Sequence, residues 1–272
     1  MKILVTGSSG FIGKYVVREA AEQGHEVFGY DIVNGNSVLD RSNLIGKAED
    51  REVDAIIHLA GLLGTHELWD QREAAIDVNI KGALNVADAA MEVDAKLVSI
   101  EQPHIWYNVY EATKLAARRM LTGLHYDRGL RVDFVTAHNA YGIGQAYGEG
   151  HPQKIIPTFA TRAWLGEPIP IWGDGQQKVN LVWAGDVADM LLRRAVSDGS
   201  APEAQFNAGS RKLHTVLHIA EGVRRYVGSL SKIEFKPMRL GEQPLPYPEP
   251  DRMYPYDVDW DAFYATVDSY KP

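Results

Sequence analysis

Tyr110 and Lys114 stand four residues apart, in Tyr110-Glu-Ala-Thr-Lys114. At that spacing they share one face of any helix that contains them. A phenol with a pKa near 10 is a poor base at neutral pH, and making it useful takes a drop of about three units, or about 4 kcal/mol. An ammonium about 4 Å away, in a medium of effective dielectric near 20, contributes about that much. The pair therefore reads as an acid/base, with Tyr110 exchanging a proton and Lys114 lowering its pKa.

A second arrangement lies at the start of the chain. Lys2-Ile-Leu-Val-Thr6 is short and apolar, as a strand buried on both faces would be. Gly7-Ser-Ser-Gly10-Phe-Ile-Gly13 follows, and helical spacing then runs from Lys14 to Gln23 and stops at Gly24. In a strand-to-helix turn of this kind Gly7 permits the tight turn. Gly10 lets a pyrophosphate approach the backbone, and Gly13 lets the helix press on the strand. The free N–H groups of the first helical turn then bind phosphate. A second strand, Glu26 to Tyr30, ends at Asp31, placed to accept hydrogen bonds from an adenosine ribose. Its charge repels a 2′-phosphate, so NAD is expected rather than NADP. His58-Leu59-Ala60-Gly61 closes another strand; Ala60 and Gly61 are small enough for a cofactor to pass, and His58 reads as a packed histidine.

The elements that position these groups follow from periodicity. Strands are expected at 2–6, 26–30, 55–60, 96–100 and 131–137, and helices at 14–23, 74–91 and 107–126. Strands alternating with helices give right-handed βαβ units and a doubly wound parallel sheet. The fold class is therefore α/β, a Rossmann sheet with a smaller C-terminal substrate-binding lobe. The boundaries expected are residues 1–142, plus returning segments at about 179–209, for the dinucleotide-binding domain. The remainder of 143–272 forms the lobe. There Gly, Pro and aromatic residues thicken around helical pieces at 154–165, 187–196 and 216–226, and the tail from Gln243 reads as irregular.

Composition narrows the classes. The chain has 272 residues, 45% hydrophobic and 24% charged, with a net charge of −8. That is enough for one large domain or one domain with a small lobe. An acidic balance argues against nucleic acid and anionic membranes as partners. With no cysteine there is no disulfide, thiolate nucleophile or Cys-bound metal. The nine histidines, among them His104, His138 and His151, show no ligand spacing, so no metal is expected. No apolar run approaches the 18 residues of a membrane span, and no signal-like stretch follows Met1, so a cytoplasmic setting is expected.

Taken together, Gly7–Gly13, Asp31, His58–Gly61, Asn79 and Tyr110/Lys114 resemble the extended short-chain dehydrogenase/reductase family, the NAD-dependent epimerases and dehydratases of nucleotide sugars. The likeness continues through Asn139-Ala-Tyr-Gly-Ile-Gly-Gln145, Gly166-Glu-Pro-Ile, Gly173-Asp-Gly-Gln-Gln177, Asp186-Val-Ala, Phe206-Asn-Ala-Gly-Ser210 and Arg239-Leu-Gly-Glu242, covering residues 1 to about 243. The resemblance implies cofactor contacts at Gly7, Ser9, Gly10, Phe11, Ile12, Gly13, Asp31, Val38, Leu59, Ala60, Gly61, Asn79, Tyr110 and Lys114. It implies substrate contacts at Asn139, Lys178 and Arg239, a nucleotide-sugar substrate, and a homodimer built on the helices at 74–91 and 107–126. Enzymes of this family oxidise a sugar carbon, rearrange it and re-reduce it.

The chain also departs from the pattern. The family's Ser or Thr after the strand at 97–100 aligns with Ile100, and only about ten residues separate that point from Tyr110. Either Ser99 takes the role, or Glu101 or Gln102 replaces the hydroxyl, or it is missing. The dehydratase branch has Asp-Glu where this chain has Glu101-Gln102. The arginine that follows Gly-Asp-Gly is Val179 here, beside Lys178, the one usual before Asn139 is Thr136, and the acid that would meet adenine is Ser37. Three functions are weighed: an epimerase working by transient oxidation, a 4,6-dehydratase or reductase of a related substrate, and a dinucleotide-sensing protein that has lost catalysis.

Overall fold

The computed structural model describes residues 1–239, 241, 242, 247, 249, 250 and 254–272. The chain runs through β1 (Lys2–Thr6), α1 (Phe11–Glu22), β2 (Glu26–Tyr30), α2 (Arg41–Arg51) and β3 (Ala55–His58). Next come α3 (Arg72–Ile76), a π turn (Asp77–Lys81), α4 (Gly82–Glu92), β4 (Lys96–Glu101), α5 (Val109–Arg128) and β5 (Val132–Ala137). The remainder is β6 (Asn139–Tyr141), α6 (Ile155–Trp164), β7 (Ile169–Trp172), β8 (Lys178–Trp183) and α7 (Ala184–Val196). It ends with β9 (Phe206–Ala208), β10 (Leu213–Thr215), α8 (Val216–Val227), β11 (Ile233–Lys236) and α9 (Trp260–Asp268).

Six parallel strands in the order β2-β1-β3-β4-β5-β9 form the main sheet. β1, β3, β4 and β5 are nearly continuous apolar runs because helices cover both faces. One face carries Leu4, Ile56, Leu97 and Phe134 against α2, α4 and α5. The other carries Ile3, Val5, Ile57 and Val98 against α1 and α7. The strand order reverses between β1 and β3, and a ligand crevice opens beyond the carboxyl ends of such strands. The fold is the doubly wound α/β architecture expected.

A smaller set of elements sits over that crevice. β6 pairs parallel with β8 and β8 antiparallel with β10, while β7 pairs with β11. α6, α8 and α9 enclose a third core around Tyr141, Phe159, Leu181 and Phe263. Of the tail expected to be irregular, residues 243–246, 248 and 251–253 lie outside those described. Its end is α9, capped by the Asp259 side chain and anchored by buried Phe263 and Val267.

Two further expectations change. The strand at 55–60 ends at His58, because the chain bends there into the glycine-bearing segment. The single helix expected at 74–91 is α3, a π turn and α4. The π turn adds a residue, so the buried stripe runs through Ala75, Asn79, Ala83 and Val86, and Ile76 is 50% exposed.

Candidate functional site

The glycine turn has the shape a dinucleotide needs. Gly7 adopts φ +71°, and a Cβ there would lie 2.7 Å from the Ala60 backbone nitrogen. A Cβ on Gly13 would strike the Gly7 carbonyl oxygen, and one on Gly10 would lie 3.1 Å from it. Glycine is required where backbone approaches backbone this closely. Thr6 at the end of β1 accepts from the N–H groups of Leu59 (3.2 Å) and Ala60 (3.3 Å), which ties the segment after β3 against the turn.

Asp31 is buried at the end of β2. One of its oxygens accepts the Ser9 N–H at 2.9 Å and the other the Val33 N–H at 3.0 Å. The acid expected to meet the ribose thus also fixes the glycine turn to the second strand. These residues fit NAD: the turn accepts no side chain at Gly7 or Gly13, and the carboxylate borders it. Val38 packs on Gly82, and its carbonyl accepts the Asn85 amide at 2.9 Å. His58 is the packed histidine expected, bonded to Thr6 at 2.8 Å. Burial, with Lys114 nearby, pushes its pKa down to about 3, so it stays neutral.

Asn79 sits in the π turn. Its Oδ1 accepts the Leu62 N–H at 2.7 Å, and its Nδ2 donates to the Leu62 carbonyl (3.1 Å) and the Thr113 hydroxyl (3.0 Å). It thereby ties the segment after β3 to the second turn of α5, between Tyr110 and Lys114. α5 starts where the Asn108 side chain accepts the Glu111 N–H at 2.9 Å, which places Tyr110 in its first turn.

A cavity of about 310 Å³ is lined by Phe11 and Ile12 of α1, by Tyr110, and by Ile100, Glu101 and Gln102. Ser99 is 2% exposed and is not part of that lining; it stays within β4, level with His58 and Phe134. Glu101, two residues on, shares its face of the strand.

The electrostatics differ from the expectation for Tyr110. Burial, and then the Glu101 carboxylate, push the phenol well above its ordinary value. Burial also lowers the Lys114 ammonium, against the pull of Glu101. Glu101 is itself raised by burial to about 7, although Lys114 and Arg118 act to lower it. In the protein alone the phenol is therefore protonated, and Glu101 lies at the midpoint of its titration near neutral pH.

The cavity continues beneath the lobe. Asn139, Lys178 and Arg239 all line it. Lys178 is bound to Glu249 at 2.7 Å, and Arg239 to Glu242 at 2.6 Å. The Arg239 guanidinium also lies over the Trp172 ring at 4.3 Å. Glu101, Gln102, Asn139 and Gln145 line the same space, and their buried atoms Glu101 Oε2, Gln102 Nε2, Asn139 Oδ1 and Gln145 Oε1 have no hydrogen-bond partner among the described residues. The sequence reading missed Lys154, Trp172, Trp106 and Thr65 in this lining. Each stands alone in a loop, at a strand end or just before a helix, where no spacing pattern marks it.

Comparison with known proteins agrees with this geometry. The model of the NAD dependent epimerase/dehydratase family matches residues 3–101 and 103–209. UDP-glucuronic acid decarboxylase 1 of Arabidopsis thaliana is 25% identical over 273 residues, spanning 87% of this chain. The chain spans about three fifths (61%) of that plant protein's length. The UDP-glucose 4-epimerase of Thermotoga maritima, solved with UDP-glucose, superposes with a TM-score of 0.88 at 20% identity, covering 100% of this chain and 99% of that one. The UDP-glucose 4-epimerase of Thermus thermophilus, solved with NAD, gives 0.86 at 21% identity over 100% and 99%. With three quarters of its length matched by the family model, its glycine turn intact and Tyr110 at the crevice, the chain belongs to the NAD dependent epimerase/dehydratase family.

Proposed function

We propose that this protein is an epimerase of a nucleotide sugar, working by transient oxidation at a ring carbon. The observation that carries the reading is that Tyr110 lines a cavity together with the polar side chains of Glu101, Gln102, Asn139 and Gln145, each with a buried atom that has no hydrogen-bond partner among the described residues. Buried donors and acceptors without partners are costly, and a polyhydroxylated ring supplies partners for both. The similarity to proteins named for UDP-sugars supports the same substrate class.

In this reading Gly7, Gly10, Gly13 and Asp31 hold NAD, with Ser9, Leu59, Ala60, Gly61 and Asn79 around it. Bound NAD supplies a hydride acceptor and donor. Tyr110 takes the proton from the sugar hydroxyl being oxidised and returns it on re-reduction. Lys114 carries the positive charge that favours the phenolate while that proton is away. Glu101 and Gln102 hydrogen-bond the ring hydroxyls, and closure by the lobe keeps water from the oxidised sugar.

One observation favours a second reading, a 4,6-dehydratase. Glu101, with its pKa near 7, is suited to the further proton transfer that elimination of water requires. Thermal-shift screening of the NAD-loaded protein with UDP-, dTDP-, GDP- and ADP-sugars, then mass spectrometry and NMR of the product, separates the readings. An epimerase gives a product of unchanged mass and no net NADH, a dehydratase gives one lighter by a water, and a reductase consumes NADH. Tyr110→Phe is expected to abolish turnover and keep NAD binding; near-normal turnover would remove Tyr110 from the mechanism.

A further inference from the structure

β4 ends at Glu101 and α5 begins at Val109, and residues 102–108 join them. Gln102, Pro103, Ile105 and Trp106 of that loop line the cavity beside Glu101 and Tyr110. Pro103 and Ile105 are buried, Trp106 is half-buried, and Tyr107 faces out at 79% exposed. Within the loop the Ile105 N–H donates to the Pro103 carbonyl at 3.1 Å. At its end Asn108 caps α5 by accepting the Glu111 N–H at 2.9 Å, and its amide donates to the Gly241 carbonyl at 3.1 Å. A polar cap residue followed three positions on by Glu is the spacing of a capping box, in which the acid returns to the N–H of the cap residue itself. Here the acid reaches further: Glu111 Oε2 accepts the N–H of Trp106, two residues before the cap, at 2.6 Å. Glu111 is 8% exposed, and His104 Nδ1 lies 3.9 Å from its other oxygen.

We propose that Glu111 is a positioning residue for the substrate: by holding the Trp106 N–H it sets the loop 102–108 as the wall against which the sugar packs. The inference rests on the nucleotide-sugar reading and adds to it a residue that is not part of the cavity lining. A hydrogen bond from a backbone N–H to a carboxylate is charge-assisted and belongs to the strong class, the more so where the carboxylate is buried. Burial raises the Glu111 pKa above its ordinary value, while the Trp106 and Ile105 N–H groups pull it down, as donors aimed at a carboxylate do. The place of Glu111 suits the task. It follows Tyr110 directly in the first turn of α5, so its bond ties the loop to the same turn that carries the phenol. In the nucleotide-sugar reading that phenol meets the sugar, so the wall beside it faces the sugar and not the nucleotide. Contacts to a substrate stay in register only when the residues behind them fix their position, and a loop fixed to the turn of Tyr110 keeps Ile105 and Trp106 in register with it.

The test is calorimetric titration of NAD-loaded protein with UDP-, dTDP-, GDP- and ADP-glucose, each beside its own nucleoside diphosphate. In Glu111→Ala the preferred nucleotide sugar should bind at least tenfold more weakly, and its diphosphate within threefold of the parent. Glu111→Gln keeps an acceptor oxygen at the same reach and should recover most of the loss. Trp106→Ala should by itself weaken the nucleotide sugar at least fivefold. Adding Glu111→Ala to it should cost less than threefold more, since both act through one wall. Equal losses for nucleotide sugar and diphosphate in Glu111→Ala, nucleotide-sugar binding within threefold of the parent, or losses that multiply in full in the double variant overturn the proposal. Glu111→Asp, whose carboxylate is one methylene shorter, serves the same comparison should the alanine variant fail to fold. If the parent itself binds none of the four nucleotide sugars, the nucleotide-sugar reading falls as well. If it binds one and Glu111→Ala binds it equally, only the role of Glu111 falls.

Discussion

Glu101 lines the cavity with Tyr110, and its charge acts on both that phenol and the Lys114 ammonium. Below pH 7 it is largely neutral; above, its charge acts to keep the proton on Tyr110. An epimerase that needs the phenol to give up its proton should lose activity as pH rises through about 7. Glu101→Gln, locked in the neutral shape, should lose that limb of the kcat/KM profile; a limb that persists in the variant assigns it elsewhere. A dehydratase using the carboxylate as a base would instead gain activity through the same range. Stability carries the same signature. The folded value is raised from 4.5 to about 7, so the acid's contribution is present at low pH and is lost as pH rises between those values. Glu101→Gln should therefore gain up to about 3 kcal/mol over the parent above pH 7 and almost nothing at pH 4, as read by urea unfolding. Tyr110 and Lys114 stand out in the sequence by type and spacing, whereas Glu101 enters only through the resemblance, as one alternative beside Ser99 and Gln102 for the family's hydroxyl. The sign of the phenol's shift was not legible, because burial and a carboxylate at the end of the preceding strand outweigh a neighbour four residues along.

At the scale of elements, the site depends on where a strand hands over to a helix and on one irregular turn. The strand–glycine–helix opening was legible because Gly7 and Gly13 answer a steric demand that no other residue meets. The π turn at Asp77–Lys81 was not, since hydrophobic periodicity averages over a single inserted residue. α2 was not anticipated either: it is rich in charge and buries only Leu44 and Ala48. α9 was hidden in a tail whose Pro, Tyr and Asp content suggested no helix. The π turn matters because it brings Asn79 inward to Leu62 and Thr113. Asn79→Ala should cost about 1–3 kcal/mol, the range for leaving desolvated polar groups unpaired. It should also loosen the segment after β3 and weaken NAD binding at least tenfold in calorimetry. Unchanged NAD affinity at the same loss of stability would limit Asn79 to holding the fold.

Across the whole molecule, the end of the main sheet away from the cavity is closed by charge. Asp133 on β5 is fully buried and accepts Lys96 of β4 at 2.9 Å, Arg194 of α7 at 2.7 and 3.0 Å, and the Ala201 N–H at 2.6 Å. Burial acts to raise the Asp133 pKa, but the Ala201 N–H, Lys96 and Arg194 together hold it below the ordinary aspartate value. Lys96 is different: burial keeps it below the ordinary lysine value despite Asp133, so the carboxylate is the partner that gains. Removing it leaves two cations and a backbone N–H without their carboxylate, Lys96 keeping only the Ser197 carbonyl and hydroxyl. Breaking a buried pair this way costs about 3–5 kcal/mol. Asp133→Ala should lose that much in chemical denaturation while NAD affinity, measured well below the melting temperature, stays within about threefold, since the glycine turn lies at the opposite ends of the strands. The sign with pH follows from the lowered value. The stabilisation is complete above the ordinary aspartate value of 3.8 and is lost as pH falls below it, so parent and variant should converge in stability toward pH 2. A gap that stays constant down to that pH would mean that packing, and not charge, holds this end of the sheet together.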